Sequence, residues 1–147
     1  MAQTHSPAQW FTATRKDSVG TGTASSVLIT APATGSVYLH AEISAKKAGE
    51  LTFSTAPNAS GGTTVTSYSM DRSSSSTAST TITHTATWLS SGTVLENHIF
   101  GGIESERFIG GTRNLEWKLN ASTLYLLYFT ADGATTEWAA NIRFAEV

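Results

Sequence analysis

The strongest constraint in this chain is a two-residue period. Val37, Leu39, Ala41 and Ile43 alternate with Tyr38, His40, Glu42 and Ser44. Successive side chains of a β-strand point to opposite faces, so this run makes one apolar and one polar face. The period returns three times. Ile82, His84, Ala86 and Trp88 alternate with threonines, Leu115, Trp117 and Leu119 with polar residues, and Trp138, Ala140, Ile142 and Phe144 with Glu137, Ala139, Asn141 and Arg143. Helical periodicity is nearly absent. The best helix candidate, EISAKKAGE (Glu42–Glu50), is short and its first half continues a strand pattern.

Five further segments read as strands: QWFTATR, SSVLIT, ELTFSTA, TTVTSYSM and TLYLLYFT, making about nine. Gly, Pro, Asn and Ser clusters such as APATGS, PNASGG, IGGTRN and ADGA separate most of them. Thr and Ser supply 43 of the 147 residues. Threonine is stiff at χ1 and fits a pleated, half-buried surface better than a helix. The expected class is all-β, an antiparallel β-sandwich or jelly roll.

Residues 1–24 are polar with one aromatic pair, Trp10-Phe11, and end in a Gly/Thr/Ser stretch. They read as an extended N-terminal arm joined to a sandwich over 25–147. The low-complexity run DRSSSSTASTT (Asp71–Thr81) reads as a mobile loop or a solvated strand edge. LYLLYF (Leu124–Phe129) is apolar on both faces, so it is expected to be a central strand or to meet a second partner on its outer side.

Several functions are disfavoured. A net charge of −2 gives no basic footprint for nucleic acid. The absence of cysteine removes disulfides, thiolate metal sites and a Cys nucleophile, and favours folding in the cytosol. The N-terminus has no Sec-type pattern, and no apolar run is long enough for a membrane-spanning helix.

The stretch FGGIESERFIGGTRN has the glycine density of a phosphate loop. It lacks the Lys-Ser/Thr ending and a following helix, so its glycines read as turns. Glu104 and Glu106 could form an acid pair by spacing, but Arg107 beside them points to ion pairing. Glu104, Glu106, Arg107 and Arg113 are therefore expected to form salt bridges within a loop or between subunits. The four histidines form no HxH or HExxH spacing. No metal, cofactor or catalytic residue is expected. Trp88, Trp117 and Trp138 are in phase with apolar neighbours and read as buried, whereas Tyr38 with His40 faces outward.

The segment ERFIGGTRNLEWKLNASTLYLLYFT resembles small structural proteins of tailed bacteriophages. In those, a Gly-Gly turn leads to an alternating strand, an Asn/Thr-rich turn and a TxYLLxxT-like strand. GSVYLHAEISAKKAGELTF, FTATRKD and the final EWAANIRFAEV are similar in pattern. The resemblance implies a jelly-roll sandwich, often trimeric, that decorates heads or attaches fibres and acts by binding rather than catalysis. On that basis the expected partners are a second and third copy of the chain and the phage major capsid protein, on the outer head surface of the virion. Trp10 and Phe11 would anchor the arm on the capsid. Leu124, Leu126, Tyr128 and His84 would form the oligomer interface. The alternative is a carbohydrate-binding module or receptor-binding or fibre-base protein, using Tyr38 and the Asp71–Thr81 loop on a cell-surface glycan.

Overall fold

The computed structural model describes residues 8–101 and 111–147. Among them are thirteen strands: β1 (Gln9–Val19), β2 (Ala24–Thr30), β3 (Val37–Ala45), β4 (Gly49–Thr55), β5 (Asn58–Ser60), β6 (Thr63–Thr64), β7 (Tyr68–Ser69), β8 (Thr81–His84), β9 (Thr87–Ser90), β10 (Thr93–Phe100), β11 (Gly111–Leu119), β12 (Leu124–Ala131) and β13 (Thr136–Glu146). The described residues contain no helix, and so none long and apolar enough to cross a membrane.

Two antiparallel sheets pack face to face. Sheet A has the order β11-β3-β13-β1-β7, and sheet B the order β10-β4-β12-β2-β8-β6. The eight long strands pair from the outside inward: β1 with β13, β2 with β12, β3 with β11 and β4 with β10. First meets last, second meets second-last, and each successive pair falls in the other sheet.

The apolar phase of each strand makes the core between the sheets. Leu39, Ala41 and Ile43 of β3, Leu115 of β11, and Ala140, Ile142 and Phe144 of β13 face Val27, Ile29, Leu51, Phe53, Leu127 and Phe129 of sheet B. Aromatic contacts cross the gap: Phe129 stacks on Trp138 at 5.8 Å, and Phe53 meets Trp117 at 5.9 Å. Burying one such side chain contributes about 1.5–3 kcal/mol before its ordering cost. Packing is tight at Gly49, where any Cβ would overlap the Phe129 ring. Gly92, at φ 80°, turns the chain from β9 into β10 in a conformation that L side chains rarely adopt.

Polar latches hold the sandwich at its rims. Ser25 Oγ of β2 donates to Asp17 of β1 at 2.7 Å. Arg113 of β11 donates to the carbonyl of Ile99 in β10 at 3.0 Å and lies over the Phe100 ring.

The N-terminal segment departs from the sequence expectation. Residues 9–19 are not an arm outside the body. They form an interior strand of sheet A, paired with β13 along its whole length. Phe11 is fully buried and stacks on Phe144 at 5.4 Å, so it is a core residue and not a capsid anchor. Thr81–Trp88 also differs from its reading as one strand. Thr85 takes φ 55° and breaks the run, leaving β8 in sheet B and β9 paired with β5 in a separate two-stranded ribbon.

Candidate functional site

The two outer faces of the sandwich are finished differently. On sheet B, the outward apolar side chains of β12 and β2 are Leu124, Leu126, Tyr128 and Leu28. The β5–β9 ribbon packs over them with Ala59 and Trp88. Trp88 lies 5.7 Å from the Tyr128 ring, and Leu126 is completely buried. The two apolar faces of LYLLYF are thus satisfied within one chain: one faces the core and the other faces the ribbon. Leu126 is not a free interface residue, and Leu124 and Tyr128 are half-buried by the same cover. His84 does not join them. It pairs in register with core-facing Val27 and contacts Thr85 Oγ1 through Nδ1 at 2.8 Å.

Sheet A has no such cover among the described residues. Its outer face is made by the polar phase of β11, β3, β13 and β1, with β7 at the edge. The register sets the rows. One row runs Lys118, Tyr38, Ala145, Trp10, and the next runs Glu116, His40, Arg143, Thr12, Tyr68. Asn114, Glu42, Asn141 and Thr14 form the third. Trp10, Tyr38 and Tyr68 are 45%, 44% and 54% exposed, unusually high for three aromatics sharing one face.

Trp10 and Tyr38 flank Ala145 and stand two strands apart, about 9.5 Å across a sheet of ordinary spacing. Ala145 points outward and lies outside the core cluster, yet is only 2% exposed. It is covered from solvent between Tyr38 and Trp10 in the register. The two rings border one shallow depression of about 360 Å³ together with Leu39, His40, Glu116, Trp117 and Lys118. Lys118 Nζ sits 5.7 Å from the Tyr38 ring centroid, and His40 Nδ1 is 2.9 Å from Glu116 Oε1. A second, more polar depression adjoins it, lined by Thr12, Thr14, His40, Glu42, Asn141 and Arg143.

At the far end of the same face, the Glu137 carboxylate meets Lys46 and lies 3.7 Å from Lys16. The Lys46 hydrogen bond and the Lys16 charge hold its carboxyl below the usual glutamate range. Beyond β7, the loop is tied to β13 at Ser79 and Thr80, and Asp71 and Ser73 are bonded within it. Glu146 accepts hydrogen bonds from the backbone N–H groups of Ser79 and Thr80 at 3.1 and 2.6 Å, and Asp71 accepts from Ser73.

The remaining sequence candidates fall as follows. Arg113 is placed, and the bonds described for it run to the carbonyls of Thr112 and Ile99. Glu104, Glu106 and Arg107 lie outside the described residues. Trp138 is buried in the core, Trp117 packs at its margin with Nε1 donating to Glu96 at 3.3 Å, and Trp88 anchors the ribbon. Among the described residues, no group of three His, Cys, Asp or Glu side chains could hold a metal ion.

The face assembled by Trp10, Tyr38 and Arg143 was not gathered from sequence, because its members come from three strands far apart in the chain. One signal pointed to it: adjacent residues of a strand face opposite ways, so Trp10 and Phe11 could not both be anchors once QWFTATR was read as a strand. Comparison with family models, with curated proteins and with solved structures found no match for this chain.

Proposed function

We propose that the protein is a virion structural component of a tailed bacteriophage. It is a jelly-roll sandwich that decorates the outer head by binding the major capsid protein, as a homotrimer and without catalysis. The observation that carries a binding role is the open outer face of sheet A. It carries shallow depressions and mixes exposed aromatics with charged and amide side chains. Such a surface suits a polymer or a macromolecular surface better than a small substrate, which needs a concave site. The nested pairing of the eight long strands supports the jelly-roll reading, since a long hairpin rolled into two sheets gives this order. The phage assignment rests on the resemblance of residues 106–130 and the flanking strands.

The trimer now has a different candidate surface. With Leu126 covered internally, the exposed apolar side chains of sheet B are on edge strand β10, where Val94 and Ile99 are 52% and 72% exposed. An apolar edge strand invites association with another copy. The direct test is to mix purified protein with heads that lack it and image the particles by cryo-EM. Ordered density at threefold positions is expected. Bare heads at saturating protein would overturn the assignment, and a monomeric mass at micromolar concentration would overturn the trimer.

A further inference from the structure

We infer that the Trp10–Tyr38 depression on sheet A is a glycan-binding site, taking a chain of neutral, hydroxyl-rich pyranose sugars. This rests on sheet A being the functional face, and does not depend on the virion placement.

Three features carry it. First, two half-exposed rings border the same depression. Trp10 of β1 and Tyr38 of β3 stand on either side of Ala145 of β13 in the register. A pyranose has a flat C–H face that packs on an aromatic ring as apolar surface does, while its hydroxyls stay at the rim. Rings on either side of a one-strand gap offer two such stacking positions along an extended chain.

Second, the polar groups beside the rings and in the adjoining depression are mixed. Beside the rings Lys118 donates and Glu116 accepts; in the adjoining depression Arg143 donates, Glu42 accepts and Asn141 can do both. A hydroxyl both donates and accepts, so an interspersed set satisfies a polyol. Uniform polyanions are poorly matched, because carboxylates sit beside the cations. This argues against single-stranded nucleic acid, which also stacks on aromatics but requires a basic groove.

Third, the site is preorganised. Its side chains stand on four hydrogen-bonded strands rather than on loops, with His40–Glu116 and Lys118–Tyr38 contacts fixing neighbours. Rigid presentation reduces the ordering cost of binding.

The test uses the full chain and isothermal titration calorimetry with cellohexaose, chitohexaose and mannohexaose, plus hexagalacturonate and a twelve-residue oligothymidylate as anionic probes. At least one neutral hexamer is expected to bind. Trp10→Ala and Tyr38→Ala are each expected to weaken it by about tenfold or more. Ala145→Leu, which crowds the covered position between the rings and displaces them without removing either, is expected to weaken it similarly, so the result does not hang on one variant folding. Binding of none of the neutral hexamers would overturn the inference. So would folded variants that bind as wild type does, or tighter binding of either polyanion than of every neutral hexamer. The same variants are then offered to undecorated heads. Lost sugar binding in folded variants is the expected result, and decoration reports separately on the capsid contact. Loss of both would support the sugar site and place the capsid contact on the same face. Wild-type protein that binds sugar but never binds heads would sink only the virion reading.

Discussion

The outer face of sheet B and the outer face of sheet A begin from similar material. Both carry aromatic or long apolar side chains on strands of a twisted antiparallel sheet. On sheet B the chain spends a ribbon, β5–β9, to cover Leu126 and Leu28, and Trp88 closes over Tyr128. On sheet A, Trp10, Tyr38 and Tyr68 are left about half exposed, with charges between them. Apolar surface that only needs stability is covered from within. Apolar surface left open, and surrounded by hydrogen-bonding groups, is available to a partner. Hydrophobicity alone did not separate the two: LYLLYF looked like the stickier patch and is the one the fold conceals.

The contrast can be broken most forcefully at Leu126. If the ribbon seals it, Leu126→Ala should destabilise the isolated chain by about 2–5 kcal/mol in chemical denaturation. A cost near that of an exposed site, under about 0.5 kcal/mol, would mean that the ribbon does not cover it. Trp88→Ala should cost less, about 1–3 kcal/mol, because Trp88 is only half-buried. Its signature should be local: faster amide exchange in residues 58–60 and 87–90, with β3 and β13 unchanged. Uniformly faster exchange would contradict the ribbon as a separate cover.

Glu146→Gln sharpens the comparison from the other side, since Glu146 fixes the loop that borders the open face. Losing the charge on two backbone hydrogen bonds should cost about 1–2 kcal/mol and speed exchange at Ser79 and Thr80. Unchanged exchange there would show that the loop is held by something else.

The smallest effect concerns Asp17, which latches β1 to β2 across the two sheets. Partial burial pushes its carboxyl up, but hydrogen bonds from Ser25 and the Ser18 N–H, together with the Arg15 charge, outweigh this and leave it below the ordinary value. A depressed folded pKa means that the latch stabilises above the unfolded value and is lost as pH falls through the folded one. A carboxyl-carbon NMR titration should therefore place Asp17 below the usual aspartate midpoint, and Ser25→Ala should move it upward. A midpoint at or above the usual value would remove the latch.

Much of the sandwich was legible because strand alternation is a local property. β3, β11 and β13 follow their period, with Leu39, Leu115 and Ile142 inward and His40, Glu116 and Arg143 outward. The failures have physical causes. One Thr85 in a left-handed conformation splits a run whose composition is uniform, and nothing in Thr81–Trp88 marks that position. Strand order depends on contacts between residues as distant as Gln9 and Glu146, which no local pattern encodes. The same holds for the candidate site. Tyr38 could be recognised as outward-facing, but its pairing with Trp10 across Ala145 exists only once β1 enters the sheet beside β13. Polar composition made residues 1–24 look like an arm. Over residues 9–19, strand pairing and the core side chains Phe11, Ala13 and Val19 outweighed that polarity, while residues 1–7 lie outside the described residues.

On the proposed reading, a ligand meets the open face of sheet A while the apolar face of sheet B stays closed by the ribbon. Hydroxyl-radical footprinting of the free protein and of the protein saturated with its best-binding hexasaccharide tests this most directly. Trp10 and Tyr38 should oxidise readily in the free chain and Trp88 and Tyr128 more slowly, with only the first pair protected on binding. Protection of Trp88 and Tyr128, with Trp10 and Tyr38 left as reactive as in the free protein, would contradict that reading.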